Sequence, residues 1–156
     1  MQTNHIKNIA IVGAGAMGAA YAAMFADTGA FSPFFLANGE RYRRFMEKPL
    51  RVNGKTYSIP VMPLTGPETT ILSVMNGLES EEMARPAVSE KLVYAIAVGI
   101  DAVREGDIFT YARPGRIIFG EGTHKAVSGR VVRLREALSR AAIPHEVPAD
   151  MMRIMW

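Results

Sequence analysis

The chain has no cysteine, which excludes disulfides, thiolate nucleophiles and zinc held by sulfur. It has no apolar run approaching the ~20 residues that a membrane-spanning helix needs. Its first residues, Met1 to Lys7, are polar and lead straight into an apolar strand with no secretory pattern. A cytoplasmic location is the expectation, and no membrane partner. Charge of one sign is scarce as well: 18 Lys and Arg face 15 Asp and Glu, a net of +3. So small and scattered an excess argues against nucleic acid and suits a modestly basic face for an anionic small ligand. Repeats and low-complexity tracts are missing too. What remains is a globular balance, 49% apolar and 21% charged, on 156 residues, enough for one domain with a real core.

Glycine, in contrast, is concentrated at one point. Asn8 to Gly29 reads NIAIVGAGAMGAAYAAMFADTG. Ile9 to Val12 is a continuous β-branched run, the signature of a buried strand, and Gly13 stops it. From Ala16 to Thr28 an Ala, Met, Tyr and Phe pattern predicts a helix that ends near Gly29. Between them, Gly13, Ala14, Gly15, Ala16, Met17 and Gly18 match G-x-G-x-x-G. Each glycine has a mechanical task. Gly13 permits the tight turn out of the strand, Gly15 lets a pyrophosphate touch bare backbone, and Gly18 lets the helix lie close to the sheet. The helix start then offers unpaired N–H groups and partial positive charge to the phosphates. The alternative is a glycine-rich turn that binds nothing. The strand before the motif and the helix after it favour the dinucleotide.

Phe34 to Ala37 is a second apolar run, and near its end an NAD enzyme carries an acidic residue for the ribose 2′-hydroxyl. Here the chain has Ala37, Asn38 and Gly39, followed by Glu40 and Arg41. A neutral Asn38 removes the charge that would repel a 2′-phosphate, and Arg41 can pair with one, so NADPH/NADP+ is favoured over NAD. Arg43 and Arg44 fit a solvated face of a short helix over Glu40 to Lys48, which Pro49 closes.

Further along, Leu50 to Ile59 is a hairpin, because Asn53-Gly54 supplies the positive φ angles of a type I′ turn. Thr69 to Met75 and Leu92 to Val98 are apolar strands, the first ending in Asn76-Gly77, and Glu79 to Arg85 is a short helix. Asp107 to Glu121 carries two strand-like segments around Pro114-Gly115 and predicts a second hairpin. Val131, Leu134, Leu138 and Ala141 mark a helix within 127–142. Ile143 to Val147 is extended, and Ala149 to Trp156 begins a helix with Asp150 in its first turn. Strands alternating with helices indicate an α/β fold: a Rossmann-like NAD(P)-binding domain with a mainly parallel sheet flanked by helices. One unit does not fit. A parallel crossover needs at least ~10–12 residues, and between Val61 and Thr69 the chain offers only MPLTGPE. A third strand with its helix has no room there. The expected domain is therefore 1–147, in which either a strand–helix unit has been lost or residues are missing near 62–66.

The three histidines, His5, His124 and His145, have no metal-ligand spacing and no catalytic carboxylate partner, so no metal site is expected and all three read as surface residues. Glu79, Glu81 and Glu82 read as a solvated helix start.

Several phrases resemble the ketopantoate reductase (2-dehydropantoate 2-reductase) family: IAIVGAGAMG, LANGERYRRF, VNGKTY, TTILSVMNGLESEE, YAIAVGIDAVREGDIFTYARPGRIIFGE and AAIPHEVPADMMRIMW. The most specific are the strand ending in Asn-Gly and the G-I-D…G-R-I-I-F-G-E run. The resemblance covers the family's N-terminal domain and, over 148–156, the start of the helix leading into a C-terminal helical domain that is absent. It implies NADPH-dependent reduction of ketopantoate to pantoate, for pantothenate and coenzyme A. It places the family's substrate-contacting asparagine on Asn76, beside both substrate and cofactor. The family's general-acid lysine falls just beyond Trp156, so no catalytic residue is assigned within the chain. The family's usual arginine after the second strand is replaced by Asn38, which shifts weight onto Arg41. The implied partners are a small 2-ketoacid, the missing C-terminal domain and a second copy in a homodimer. Two alternatives stay open: a reductase of another branched 2-ketoacid, and a non-catalytic dinucleotide-binding module. Met151, Met152, Met155 and Trp156 are apolar enough to need cover, from a missing domain or from this domain's own core.

Overall fold

A computed structural model describes residues 5–12, 15–36, 43, 47–62, 70–73, 92–121 and 127–155. The apolar run becomes strand β1, Asn8–Val12, and the alanine-rich segment becomes helix α1, Ala16–Asp27. Every residue of α1 from Ala19 to Phe25 is buried, as a helix apolar all round must be. Its end is set locally: Gly29 takes φ +64, and the Thr28 hydroxyl donates to the Phe25 carbonyl at 2.8 Å, satisfying an orphan acceptor.

Strand β2, Ser32–Leu36, lies parallel to β1 in the register Asn8↔Ser32 to Val12↔Leu36. Next come the β3/β4 hairpin, Leu50–Val52 and Lys55–Tyr57, and strand β5, Val61–Met62. The hairpin expectation holds: Asn53 and Gly54 take φ 49 and 77, the two positive values a type I′ turn requires. Strand β5 pairs parallel with β2 on the side away from β1. Val61–Met62 is thus itself a third parallel strand, earlier than the spacing argument placed one, because two residues suffice for the pairing. Residues 63–69 lie outside the described residues, as do the predicted helix over Glu79 to Arg85 and six of the nine residues of that over Glu40 to Lys48.

A second sheet runs β11-β10-β7-β6, built from β6, Ile71–Ser73, β7, Leu92–Ile100, β10, Pro114–Gly120, and β11, His145–Glu146. A third runs β4-β3-β9-β8, with β8, Val103–Glu105, and β9, Ile108–Thr110. The pairings β1/β2, β2/β5, β6/β7, β3/β9 and β10/β11 are parallel, while β7/β10 and the two hairpins are antiparallel.

The second expected hairpin is corrected. Pro114-Gly115 does not turn the chain back on β9: Pro114 pairs with Ile100 at the start of β10, and β9 belongs to another sheet. The turn is at Gly106, φ +61, joining β8 to β9. Between β9 and β10 the chain changes sheets under the control of Asp101. Its Oδ1 accepts from the backbone N–H groups of Ala112 and Arg113 at 2.9 and 2.8 Å, and Oδ2 pairs with the Arg113 guanidinium at 3.3 Å. These bonds, the Arg113 N–H first, hold the Asp101 carboxyl below its ordinary value. A lowered folded-state pKa stabilises above the unfolded carboxylate value near ~3.9 and stops doing so as pH falls through the lowered one. Wild type is therefore expected to melt above an Asp101→Ala variant at neutral pH. The gap is expected to narrow below about pH 4, as melting curves across pH will report.

Helix α1 touches all three hydrophobic clusters: Tyr21, Met24 and Phe25 the largest, Ala22 the one with Phe35 and Val61, and Ala19 and Ala23 the one with Val52 and Phe109. Helix α2, Gly129–Arg140, starts where the Ser128 hydroxyl accepts from the Val131 N–H, and buries Val131, Leu134, Ala137 and Leu138 in the largest cluster. Helix α3, Met151–Met155, is capped by Asp150, whose Oδ1 accepts from the Arg153 N–H at 3.1 Å. Met151 is fully buried against Gly120, where an added Cβ would sit 3.3 Å from the Met151 Cβ. That part of the apolar tail covers this domain's own core, whereas Ile154 is exposed. No described helix is long and apolar enough to cross a membrane.

Candidate dinucleotide site

Strand β1 delivers the chain to Gly15, which is the N-cap of α1 with extended backbone, φ −74 and ψ −176. The Gly15 carbonyl already accepts the first helical bond, from the Ala19 N–H at 2.9 Å. Among the described residues no side chain caps this end, and no acidic residue lies in the first turn. Among those residues, then, nothing takes up the donor capacity of the opening N–H groups of α1 or neutralises the positive end of the macrodipole. A Cβ built on Gly15 meets nothing within 4 Å, so the space over this backbone is open. That is what a diphosphate needs, and the residues present fit one. Ala16 packs on the cluster holding Val52 and Phe109, and Met17 on the largest cluster. They fix the first turn in place rather than lining open space, and Gly18 is half-buried beside them.

Gly13, Ala14, Asn38, Arg41 and Asn76 lie outside the described residues. Their positions in the chain are still informative. Gly13 follows the carboxyl end of β1, Asn38 comes shortly after the carboxyl end of β2, and Asn76 shortly after that of β6. In parallel α/β sheets ligands bind outside those ends.

Two features not anticipated from the sequence are polar clamps. Asn53 is more than a turn residue: its amide donates to the Tyr111 carbonyl and accepts from the Tyr111 N–H, both at 2.9 Å. The Tyr57 hydroxyl shares its proton between the two Asp27 oxygens, each at 3.1 Å, and burial followed by the Asp27 hydrogen bond pushes Tyr57 up to about 12. Both tie the hairpin region to its neighbours, α1 among them, and both depend on partners distant in sequence.

A cavity of about 300 Å³ lies away from the glycines, lined by His5, Arg135, Glu136, Ser139, Arg140 and His145. Its polar groups are largely engaged with one another: His5 with Glu136 at 3.5 Å, Ser139 with His145 at 3.4 Å, and Arg140 over the Phe31 ring. His145, read from the sequence as a surface residue, is half-buried, and its Nδ1 lies 2.8 Å from the Ile143 carbonyl. His124 lies outside the described residues. Among the described residues no cluster of His, Asp and Glu could hold a metal ion.

Comparison with known proteins bears on the fold and the family. The fold matches a 2-dehydropantoate 2-reductase from Geobacter metallireducens with a TM-score of 0.73 at 25% identity, over 96% of this chain and 60% of that one. It matches the Porphyromonas gingivalis 2-dehydropantoate 2-reductase with a TM-score of 0.74 at 21% identity, over 97% of this chain and 67% of that one. A D-mandelate dehydrogenase in complex with NADH matches with a TM-score of 0.76 at 18% identity, over 93% of this chain and 56% of that one. The chain therefore spans only about 60% of the length of the first of these structures. No curated protein sequence matches it significantly. The family model described as ketopantoate reductase PanE/ApbA matches residues 9–62 and 59–124, two segments that overlap at 59–62, next to the stretch too short for a crossover. Matched over most of its length, with the Rossmann-like domain of those structures as its fold, the chain belongs to the ketopantoate reductase PanE/ApbA family.

Proposed function

We propose that this chain is the cofactor-binding portion of an NADPH-dependent oxidoreductase that reduces 2-dehydropantoate to pantoate. The observation that carries the reading is the uncapped start of α1, with open space over Gly15, in a member of this family. Gly13 to Gly18 would hold the diphosphate. Arg41 would pair with the 2′-phosphate beside a neutral Asn38, and Asn76 would hold substrate and nicotinamide together. Bound NADPH supplies the hydride for the ketone carbon, and a lysine outside these residues supplies the proton for the oxygen. On this reading the 156 residues bind cofactor weakly and turn nothing over.

The test is a titration of NADPH against NADH, with and without Arg41→Ala. NADPH affinity is expected to fall about tenfold in the variant, roughly 1.4 kcal/mol, while NADH affinity stays put. Equal losses for both would remove the 2′-phosphate assignment, and steady ketopantoate turnover by this chain alone would refute the divided active site. A second reading, reduction of a different branched 2-ketoacid with NADH, is favoured by the likeness to a D-mandelate dehydrogenase bound to NADH. It predicts the opposite cofactor preference in the same titration.

A further inference from the structure

The residue that closes the first turn of α1 is also held by the apolar interior. Ala19 donates its N–H to the Gly15 carbonyl at 2.9 Å. Its side chain is fully buried in a cluster with Ala23 of the same helix and with Val52 and Phe109. Those last two come from β3 and β9 and face each other in the parallel register of that pair. The backbone at the mouth of the helix is thus supported from behind by a sheet remote in sequence. No side-chain cap stiffens this end among the described residues. An alanine also has no length with which to follow a retreating neighbour, and a gap of about 1 Å at a methyl forfeits up to half of its contact energy.

Val52 and Phe109 are kept together by Asn53. The β3/β9 ladder is short, Arg51↔Ile108 and Val52↔Phe109, and β3 ends at Val52. Asn53 carries it one step further. Its backbone N–H donates to the Phe109 carbonyl at 3.0 Å. Its side-chain amide adds two bonds where the strand itself has turned away, donating to the Tyr111 carbonyl and accepting from the Tyr111 N–H, both at 2.9 Å. From the β8 side the Arg104 guanidinium lies over the Phe109 ring, 5.4 Å from its centroid. Asn53 does this at φ 49, a conformation that glycine adopts without strain, so its side chain can be removed with the turn left intact. The hairpin's other tie serves the opposite end of the helix: Tyr57 and Lys55 bond to Asp27, the last residue of α1.

We propose that Asn53 is a positioning residue for the dinucleotide: by locking Val52 to Phe109 against Ala19, it holds the first turn of α1, and with it the bare backbone at Gly15, in the shape that receives the diphosphate. The proposal rests on the dinucleotide reading of Gly15 and extends the site to a hairpin that touches no ligand.

Three variants of the whole chain test it: Asn53→Gly, Asn53→Asp and Tyr57→Phe. Each is titrated with NADPH at a temperature where its melting curve shows only folded protein, and amide hydrogen exchange is followed by NMR. Asn53→Gly is expected to weaken NADPH binding about tenfold and to speed exchange of the Ala19 amide by a similar factor. The Ile117 amide, bonded to the Pro144 carbonyl in the second sheet at 2.9 Å, is the internal control and changes little. Asn53→Asp keeps the acceptor for the Tyr111 N–H and is expected to recover part of both losses. Tyr57→Phe loosens the same hairpin at the far end of α1 and is expected to alter neither affinity nor Ala19 exchange. Unchanged affinity in Asn53→Gly, an equal loss in Tyr57→Phe, or Ile117 exchange that rises together with that of Ala19 would each overturn the positioning role. A wild-type chain that takes up no NADPH would refute the dinucleotide reading itself, a failure seen before any variant is made, and the positioning role would fall with it.

Discussion

Gly115→Ala is expected to destabilise the domain by about 3 kcal/mol or more. Two costs add at that position. The backbone takes φ +64, which a residue with a Cβ adopts at a cost of about 1 kcal/mol. The new Cβ would also sit 2.5 Å from the Ile100 nitrogen, 2.7 Å from the Val98 carbonyl oxygen and 2.9 Å from the Ile100 Cα. All three are backbone atoms of the facing strand, so no side chain can rotate away. The strand must move, and the β7/β10 ladder is the spine of its sheet. For a domain of this size the loss corresponds to a fall in melting temperature of roughly 10 °C. Gly99→Ala is the matched control: it has φ +74 with open space around the added atom, so it carries the first cost alone. Equal melting temperatures for the two variants would show that the close approach at Gly115 is not real.

Gly15→Val is expected to do the reverse, leaving the fold standing and removing the ligand. The backbone there is extended and unstrained, and nothing lies within 4 Å of the added Cβ. The change costs the helix at most about 1 kcal/mol as a poorer N-cap. Any ligand that lies against that backbone collides with the isopropyl group. Dinucleotide affinity is expected to fall about a hundredfold, roughly 2.7 kcal/mol, measured by fluorescence titration of NADPH with a melting curve on the same sample. Retained affinity with an unchanged melt would place the nucleotide elsewhere. On the proposed function the two glycines separate: Gly115 is needed by the fold, Gly15 by the dinucleotide.

That contrast also marks how far the sequence could be read. The strand before Gly15 and the helix after it were legible because the pattern is local: a β-branched run, then a helix-forming segment. Asn53-Gly54 was legible for the same reason, since the turn type is written in the two residues that make it. Pro114-Gly115 has equally strong turn chemistry, yet there the positive φ serves a close crossing with Val98 and Ile100, and no local rule distinguishes the two uses. The third parallel strand was missed because Val61 and Met62 hold it with two residues, below any periodicity. Asp101 and Asn53 act as clamps on chain 10 to 60 residues away, information that exists only after folding. Of the candidate site, only Gly15 to Gly18 fall among the described residues, while Asn38, Arg41 and Asn76 rest on spacing and resemblance.

The position of α1 has a consequence for regulation by occupancy. One end of this helix meets solvent at Gly15, and its body is the element on which all three apolar clusters converge. A molecule that grips the open end therefore holds the keystone of the whole domain, and its binding energy is shared with every cluster through mass action. On the proposed function, damage to the interior far from the glycines should loosen that grip, and withholding the dinucleotide should expose the domain to proteolysis throughout.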